Sequence, residues 1–274
     1  MKLPIIRILS YIILVIAIGI YALPIMWIFL TSLKTRAEVV LLPPKFIFTP
    51  HFENYLNVLF QPGINFLQAL LNSLTVSLSV TAIALILGFL AAYTIARYRT
   101  GGKTYAFWIL SMRIVPPIVI IPPMYILFAT LKLIDTIPGL VILYLTFNTP
   151  IVVWIMKSYI EELPYEIEEQ ARVDGASTLT IIRKITLPLC APGLVAVAIL
   201  TFIFSWNEFI FALVFTDLKA ATVTRTAEKF VTLYGTMWEN MAASAILSML
   251  PMLVFAFIIQ KWLVRGLTMG AVKA

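Results

Sequence analysis

Charge is what this chain lacks. Of its 274 residues only 12% are Asp, Glu, Lys or Arg, while 61% are hydrophobic. A soluble domain of this length carries charge on roughly a quarter of its residues, so that class is excluded and the surface is expected to meet lipid. Cysteine is nearly missing as well. Cys190 stands alone, which rules out an internal disulfide. Histidine is limited to His51, read as a loop residue, and no metal-ligand spacing occurs. There is no G-x-x-x-x-G-K-[ST] phosphate loop, so the chain cannot hydrolyse ATP alone and is not expected to be an enzyme. Internal repeats and low-complexity tracts are absent too, which favours one membrane domain over residues 1–274.

What is present is a series of long uncharged runs. Nothing is charged from Ile8 to Leu33, Asn54 to Ala96, Thr136 to Met156, Ile185 to Asn207 or Asn240 to Gln260, and between Lys103 and Lys132 Arg113 is the lone charge. About 20 apolar residues cross a bilayer as a helix. Six spans are therefore predicted, near 8–31, 69–96, 104–128, 137–157, 189–215 and 241–263. Runs this long indicate helices rather than the short alternating segments of a β-barrel. The fold class is all-α, a polytopic membrane protein. The apolar run after Arg7 exceeds a signal-peptide core and no small-x-small site closes it, so an uncleaved first span is expected.

Orientation follows Lys and Arg. With the N-terminus in the cytoplasm, the inner segments hold Lys2, Arg7, Arg97, Arg99, Lys103, Lys157, Arg172, Arg183, Lys184, Lys261, Arg265 and Lys273. The longer outer segments hold Lys34, Arg36, Lys45, Lys132, Lys219, Arg225 and Lys229. Both termini are thus predicted to be cytoplasmic. The net charge of +7 is assigned to this topology and not to nucleic acid.

Proline and a few buried polar groups mark the spans. Pro116–Pro117 and Pro122–Pro123 bar the third span from being a straight rod, and Pro24, Pro150, Pro188, Pro192 and Pro251 punctuate others. Ionisable groups at membrane depth are functional candidates. Arg113, Asn148, Trp206, Asn207 and Glu208 are therefore candidate lining of a polar pathway, with Trp206 and Trp154 offering rings to a sugar face. Alternatively, Arg113 and Glu208 neutralise each other, Glu208 snorkels to the outer interface, or the aromatics simply pack.

One segment does not belong in lipid. Residues 168–188 read EEQARVDGASTLTIIRKITLP, and six carboxylates fall between Glu161 and Asp174. Pro164 suits a first helical position. A helix over Tyr165–Val173 follows, with Glu166, Glu168 and Glu169 near its positive end, and Gly175 is placed to end it in a left-handed conformation. Ser177 or Thr178 caps a second helix that Pro188 stops. Leu179, Ile182 and Ile185 form its apolar stripe, and Arg183 and Lys184 lie outside it. Two short helices meeting at a small-residue corner suit docking into a partner's groove better than a plain linker.

Glu169, Ala171, Asp174, Gly175 and Ala176, followed by Ile185, Leu187 and Pro188 nineteen positions after the glutamate, resemble the EAA loop of ABC importer permeases. Gln170 departs mildly from the usual alanine. ENYLNVL (53–59), LNSL (71–74), the PP and IPPMYILF run (116–128), FSWNEFIFAL (204–213) and RGLTMGAVKA (265–274) are similar to the MalG-type, carbohydrate-transporting group. The resemblance implies that this chain forms a translocation pathway with a second, MalF-type permease subunit. It implies two cytoplasmic ATPase subunits, which bind ATP and Mg and grip residues 158–188 as a coupling helix, with Glu169 paired to a basic ATPase residue. No cofactor is expected in the chain itself. It further implies a prokaryotic inner membrane and an extracytoplasmic solute-binding protein met by the outer loop 216–240, with Tyr234, Gly235, Met237 and Trp238 as contact candidates. The polar tail 265–274 would reach the ATPase dimer interface. The cargo is expected to be a sugar or oligosaccharide, with a glycerol phosphate ester or a self-sufficient secondary transporter as the alternatives.

Overall fold

The computed structural model describes residues 3–61, 63–102 and 104–271, with side chains described from residue 7 to residue 258. Lys2, Lys103, residues 272–274 and the side chains of Lys261 and Arg265 lie outside the described residues. The chain is helical nearly throughout. Its composition requires this, because a backbone in hydrocarbon must pair its own N–H and C=O groups. Arg7–Ser32, Phe66–Tyr98, Ile137–Glu161 and Trp238–Ile258 are long and apolar enough to cross a membrane, and two bent helix pairs raise the number to six if each counts as one span.

The bends have local causes. Tyr105–Ile114 and Pro117–Thr130 meet at 89°, with extended Val115 and Pro116 between them. The first proline pair thus breaks the third span. The second pair sits inside Pro117–Thr130 without ending it, although it removes the donors that would reach the carbonyls of Ile118 and Val119. Residues 189–215 are interrupted as well. Thr178–Leu189 and Ala191–Trp206 meet at 77°, and a second break at Asn207–Phe209 precedes the short helix Ile210–Phe215.

The chain gathers into two compact units. The first holds Met1–Leu67 with Thr226–Pro251. Here Thr35 and Glu38 form a reciprocal capping box on a one-turn helix, and the buried Asn54 amide donates to the carbonyls of Ser32 and Lys34 at 2.9 and 2.8 Å. The buried Lys34 ammonium lies over the rings of Trp27 and Phe48. Val231–Thr232 and Gly235–Thr236 pair as a minimal antiparallel hairpin, a small exception to the all-helical expectation.

The second unit, Gln68–Arg225 with Met252–Ala274, contains two large apolar clusters beside a smaller one of Ile95, Ala106 and Val153. Val76, Val80, Leu140, Tyr144, Phe211 and Phe215 centre one. Tyr93, Val152, Met156, Ile160, Ile182 and Val197 centre the other. Lipid removes most of the hydrophobic drive for helix association, so close packing must replace it. Gly88 shows how: a Cβ there would stand 2.6 Å from Val152 Cγ1, so only glycine lets these two helices approach so closely.

Candidate functional site

The Tyr165–Val173 helix has the bounds the sequence predicts, although Pro164 precedes it instead of taking its first helical position. Pro164 is its N-cap, with φ −56° and ψ 125°. At the other end Gly175 has φ +85°. Its N–H donates to the Arg172 carbonyl at 3.0 Å, and the Ala176 N–H donates to the Ala171 carbonyl at 2.9 Å. Those two bonds are a Schellman closure, which needs a left-handed residue at this point. Ser177 then accepts the Thr180 N–H and starts the next helix, so one helix ends and the next begins within a few residues.

Two expectations about the second helix need correction. Pro188 does not stop it: the helical path continues to Leu189 and breaks at Cys190. The reason is a π turn at Ile182–Thr186, where the Leu187 N–H reaches the Ile182 carbonyl. The buried face also differs from the predicted stripe. Ile181, Ile182 and Thr186 are buried and Ile185 is half-buried, whereas Leu179 is 54% exposed. Leu179 therefore leaves the predicted stripe and joins the outer face.

Beneath this segment lies a buried ion-pair node that sequence reasoning missed. Glu168 is 1% exposed. Its carboxylate accepts from Arg97 Nε at 3.0 Å, Tyr93 Oη at 2.9 Å and Thr186 Oγ1 at 3.0 Å, while Arg172 Nη2 stands 3.8 Å away. Arg97 also donates to the Leu163 carbonyl at 3.3 Å. Four neighbours satisfy one carboxylate, as a buried charge requires. The sequence offers a partial signal: Tyr93 and Arg97 are four residues apart on one helical face, as are Glu168 and Arg172.

The other acidic groups face outward. Glu166, Glu169 and Asp174 are exposed, and so are Arg183, Lys184, Leu187 and Pro188. Val173 is 86% exposed, and Tyr165, Ile167, Leu179 and Leu189 are also exposed. The outer face thus combines ready carboxylates with bare apolar side chains, the composition of an interaction surface.

The membrane-depth candidates are each held by their own contacts. Arg113 donates to the Phe147 carbonyl at 3.1 Å and lies 4.2 Å from the Phe204 ring centroid. Among the described residues it makes no ion pair with Glu208, so the mutual-neutralisation reading fails. Glu208 instead accepts the N–H groups of Phe211 and Ala212 at 3.0 and 3.2 Å. It caps the broken half of the fifth span. The amide of Asn148, 4% exposed, donates to the Tyr144 carbonyl and to Ser205 Oγ. Trp206 is buried and stacked on Phe202, whereas Asn207 and Trp154 are exposed.

On the opposite side of the predicted topology, Asp135 fastens the start of the outer loop. Its carboxylate accepts the N–H groups of Asp217, Leu218, Lys219 and Ala220. Partial burial pushes its pKa up, but those four donors outweigh it and hold the group below its ordinary value. A lowered folded-state pKa contributes stability that is complete above the unfolded value and is lost as pH falls through the folded one. Proteolysis of the 216–222 segment is therefore expected to stay slow from pH 7 to about pH 5 and to accelerate below about pH 4. Asp135→Asn should abolish that pH step and be cut faster throughout; a wild-type profile in the variant would show that the staple does not hold the loop.

Further along, Leu233 and Tyr234 project almost fully from the hairpin, and the Tyr234 carbonyl accepts from Arg36 Nη2 at 3.0 Å. Gly235 has φ +101°. Trp238 is half-exposed and Met237 less so. Leu233 is the tip residue that the sequence did not single out.

Three comparisons bear on this geometry. The family described as binding-protein-dependent transport system inner membrane component matches residues 84–269. The chain is 38% identical over 263 residues to a trehalose transport system permease of Mycobacterium tuberculosis, covering 93% of this chain and 94% of that protein. It is 32% identical over 253 residues to a trehalose/maltose transport system permease of Thermococcus litoralis, covering 91% of each. The fold resembles a chain of a bacterial ABC transporter involved in import of the acidic polysaccharide alginate, with TM-score 0.74 and 24% identity over 94% of this chain and 96% of that one.

Proposed function

Because the chain belongs to the family of binding-protein-dependent transport system inner membrane components, we propose that it is a carbohydrate-importing permease subunit that acts through its 165–189 segment. It is a transmembrane subunit of an ABC importer. The observation that carries the mechanism is the split of the acidic helix. Glu168 turns inward to an ion pair, while Glu169, Val173 and the second helix's Leu179 face outward. A rigid exposed element anchored in a bundle is what a closing ATPase pair needs to grip. In this reading Glu169 meets a basic residue of the ATPase, Asp174, Gly175 and Ala176 make the corner, and Ala171 closes it through its carbonyl. Ile185, Leu187 and Pro188 carry the path back to the membrane.

The remaining components follow from the same assignment. ATP and Mg bind the two ATPase subunits, a second permease completes the pathway, and an extracytoplasmic binding protein delivers the cargo. The Lys and Arg bias supports cytoplasmic termini. Two relatives that the chain matches over nearly its whole length are named for trehalose or trehalose and maltose, which supports a sugar or oligosaccharide cargo. Purification from native membranes in mild detergent is expected to bring down an ATPase, a second permease and a binding protein. Recovery of this chain alone, from a preparation that preserves other complexes, would favour a self-sufficient transporter. The ligand of the recovered binding protein then separates a neutral sugar from a glycerol phosphate ester.

The projecting hairpin supports the outer half of this reading. Removing Gly235–Trp238 takes out one strand and the base of the exposed tip. That deletion should lower the stimulation of ATPase activity by the binding protein at least about fivefold, with basal hydrolysis retained. Full stimulation would remove the hairpin from the contact.

A further inference from the structure

We propose that Glu168 is the positioning residue through which the 165–189 segment moves the Phe66–Tyr98 helix, with Arg97 as its partner. The inference rests on the importer assignment above and adds the internal contact that carries force into the bundle. The covalent routes from the segment into the membrane are both broken. Toward Ile137–Glu161 the chain passes through Glu162, Leu163 and Pro164, where the backbone turns extended. Toward Ala191–Trp206 it bends by 77° at Cys190. A few non-helical residues can absorb rotation at such joints, so a push on Tyr165–Val173 need not reach either helix.

The Glu168 node bypasses both joints. Tyr93 and Arg97 reach it from successive turns of one helix, and Thr186 reaches it from the π turn. Arg97 also holds the Leu163 carbonyl, within the first joint. Ile182 and Cys190 pack with Tyr93 in the apolar cluster beside the node. Three elements therefore share one carboxylate away from water, where charged hydrogen bonds are strong and cannot be exchanged for solvent. Glu166 and Glu169, on the same helix, remain exposed and free to meet a partner. Glu168 has no such access, so its role is internal: it makes the docking helix and the Phe66–Tyr98 helix one mechanical body.

The test is import per ATP hydrolysed, measured with the complete complex in liposomes loaded with Mg-ATP. Glu168→Gln keeps the size of the side chain and removes its charge. It should leave assembly intact and ATP hydrolysis within about threefold of wild type, while import per ATP falls at least tenfold. Arg97→Gln should give the same loss, and the double variant no further loss, because both changes remove one contact. Spin labels at the exposed positions Val173 and Leu90 should keep their separation when a non-hydrolysable ATP analogue is added to wild type, and change it in Glu168→Gln. A merely structural role would lower assembly without altering import per ATP or that distance. Wild-type import per ATP in Glu168→Gln would overturn the proposal. If Glu168→Gln does not assemble, Tyr93→Phe and Thr186→Val decide the matter: each removes one hydrogen bond, and wild-type coupling in both overturns it. A wild-type complex that neither hydrolyses ATP nor imports would refute the importer assignment instead.

Discussion

Gly175→Val is expected to cut ATP-driven import at least about tenfold while the chain still inserts and binds its partners. Gly175 sits at φ +85° with no atom within 4 Å of where a Cβ would stand. The penalty is therefore conformational and not a clash. A β-branched residue forced into the left-handed region costs about 1–2 kcal/mol or more, enough to make the corner open. Opening it releases the two Schellman bonds and displaces the Ser177 cap, so the docking helix loses its fixed end. Gly175→Asp should be milder in backbone terms, since Asp visits this region more readily, although it places a second negative charge beside Asp174. Glu169→Lys probes the same surface differently. That side chain is exposed, so the fold is kept while the charge offered to the ATPase is inverted. Import at the wild-type rate by Gly175→Val in vesicles would remove the corner from the coupling mechanism.

Arg97→Ala is expected to destabilise the membrane domain by about 3–5 kcal/mol, because it leaves Glu168 charged and buried without its main partner. Tyr93 and Thr186 would still donate, but neither is a cation, and Arg172 stands farther off at 3.8 Å. Thermal unfolding of the detergent-solubilised complex should show the loss as a clear drop in midpoint. Arg97→Lys should recover only part of it. A lysine supplies a point charge without the planar guanidinium that reaches Glu168 and the Leu163 carbonyl together. An unchanged midpoint in Arg97→Ala would mean that the buried ion pair contributes nothing to stability.

The predictions that came out of the sequence share a property: each depends on residues close along the chain. Gly175 ends a helix and Ser177 begins one because backbone conformation and capping are settled within four or five residues. Pro116 breaks the third span for the same reason. Glu168 was different. Glu166, Glu168 and Glu169 look alike in sequence, all near the positive end of one helix. Only the approach of Tyr93 and Arg97, more than seventy residues earlier, separates the buried one from its neighbours. Leu179 fails as an apolar-stripe residue because the buried face runs through Ile181, Ile182 and Thr186, and nothing in the local pattern announced the π turn within it. Glu208 looked like a lone charge in lipid. Its role as the cap of a broken helix became visible once the break at Asn207–Phe209 was seen. Asp135 carries no local signal of its role, since its four donors lie more than eighty positions away.

By itself, then, the sequence determined that this protein is helical and membrane-embedded, which runs are long and apolar enough to cross a bilayer, and that a glycine corner at Gly175 joins two short helices. Those properties follow from hydropathy, charge and local backbone preference, which act over a turn or two of chain. Tertiary structure alone decided which glutamate faces inward, which face of the second helix is free, and which loop is stapled to which turn. Each of those outcomes depends on desolvating a charge or satisfying a carboxylate with groups distant in sequence, and such partners are chosen only when the helices pack.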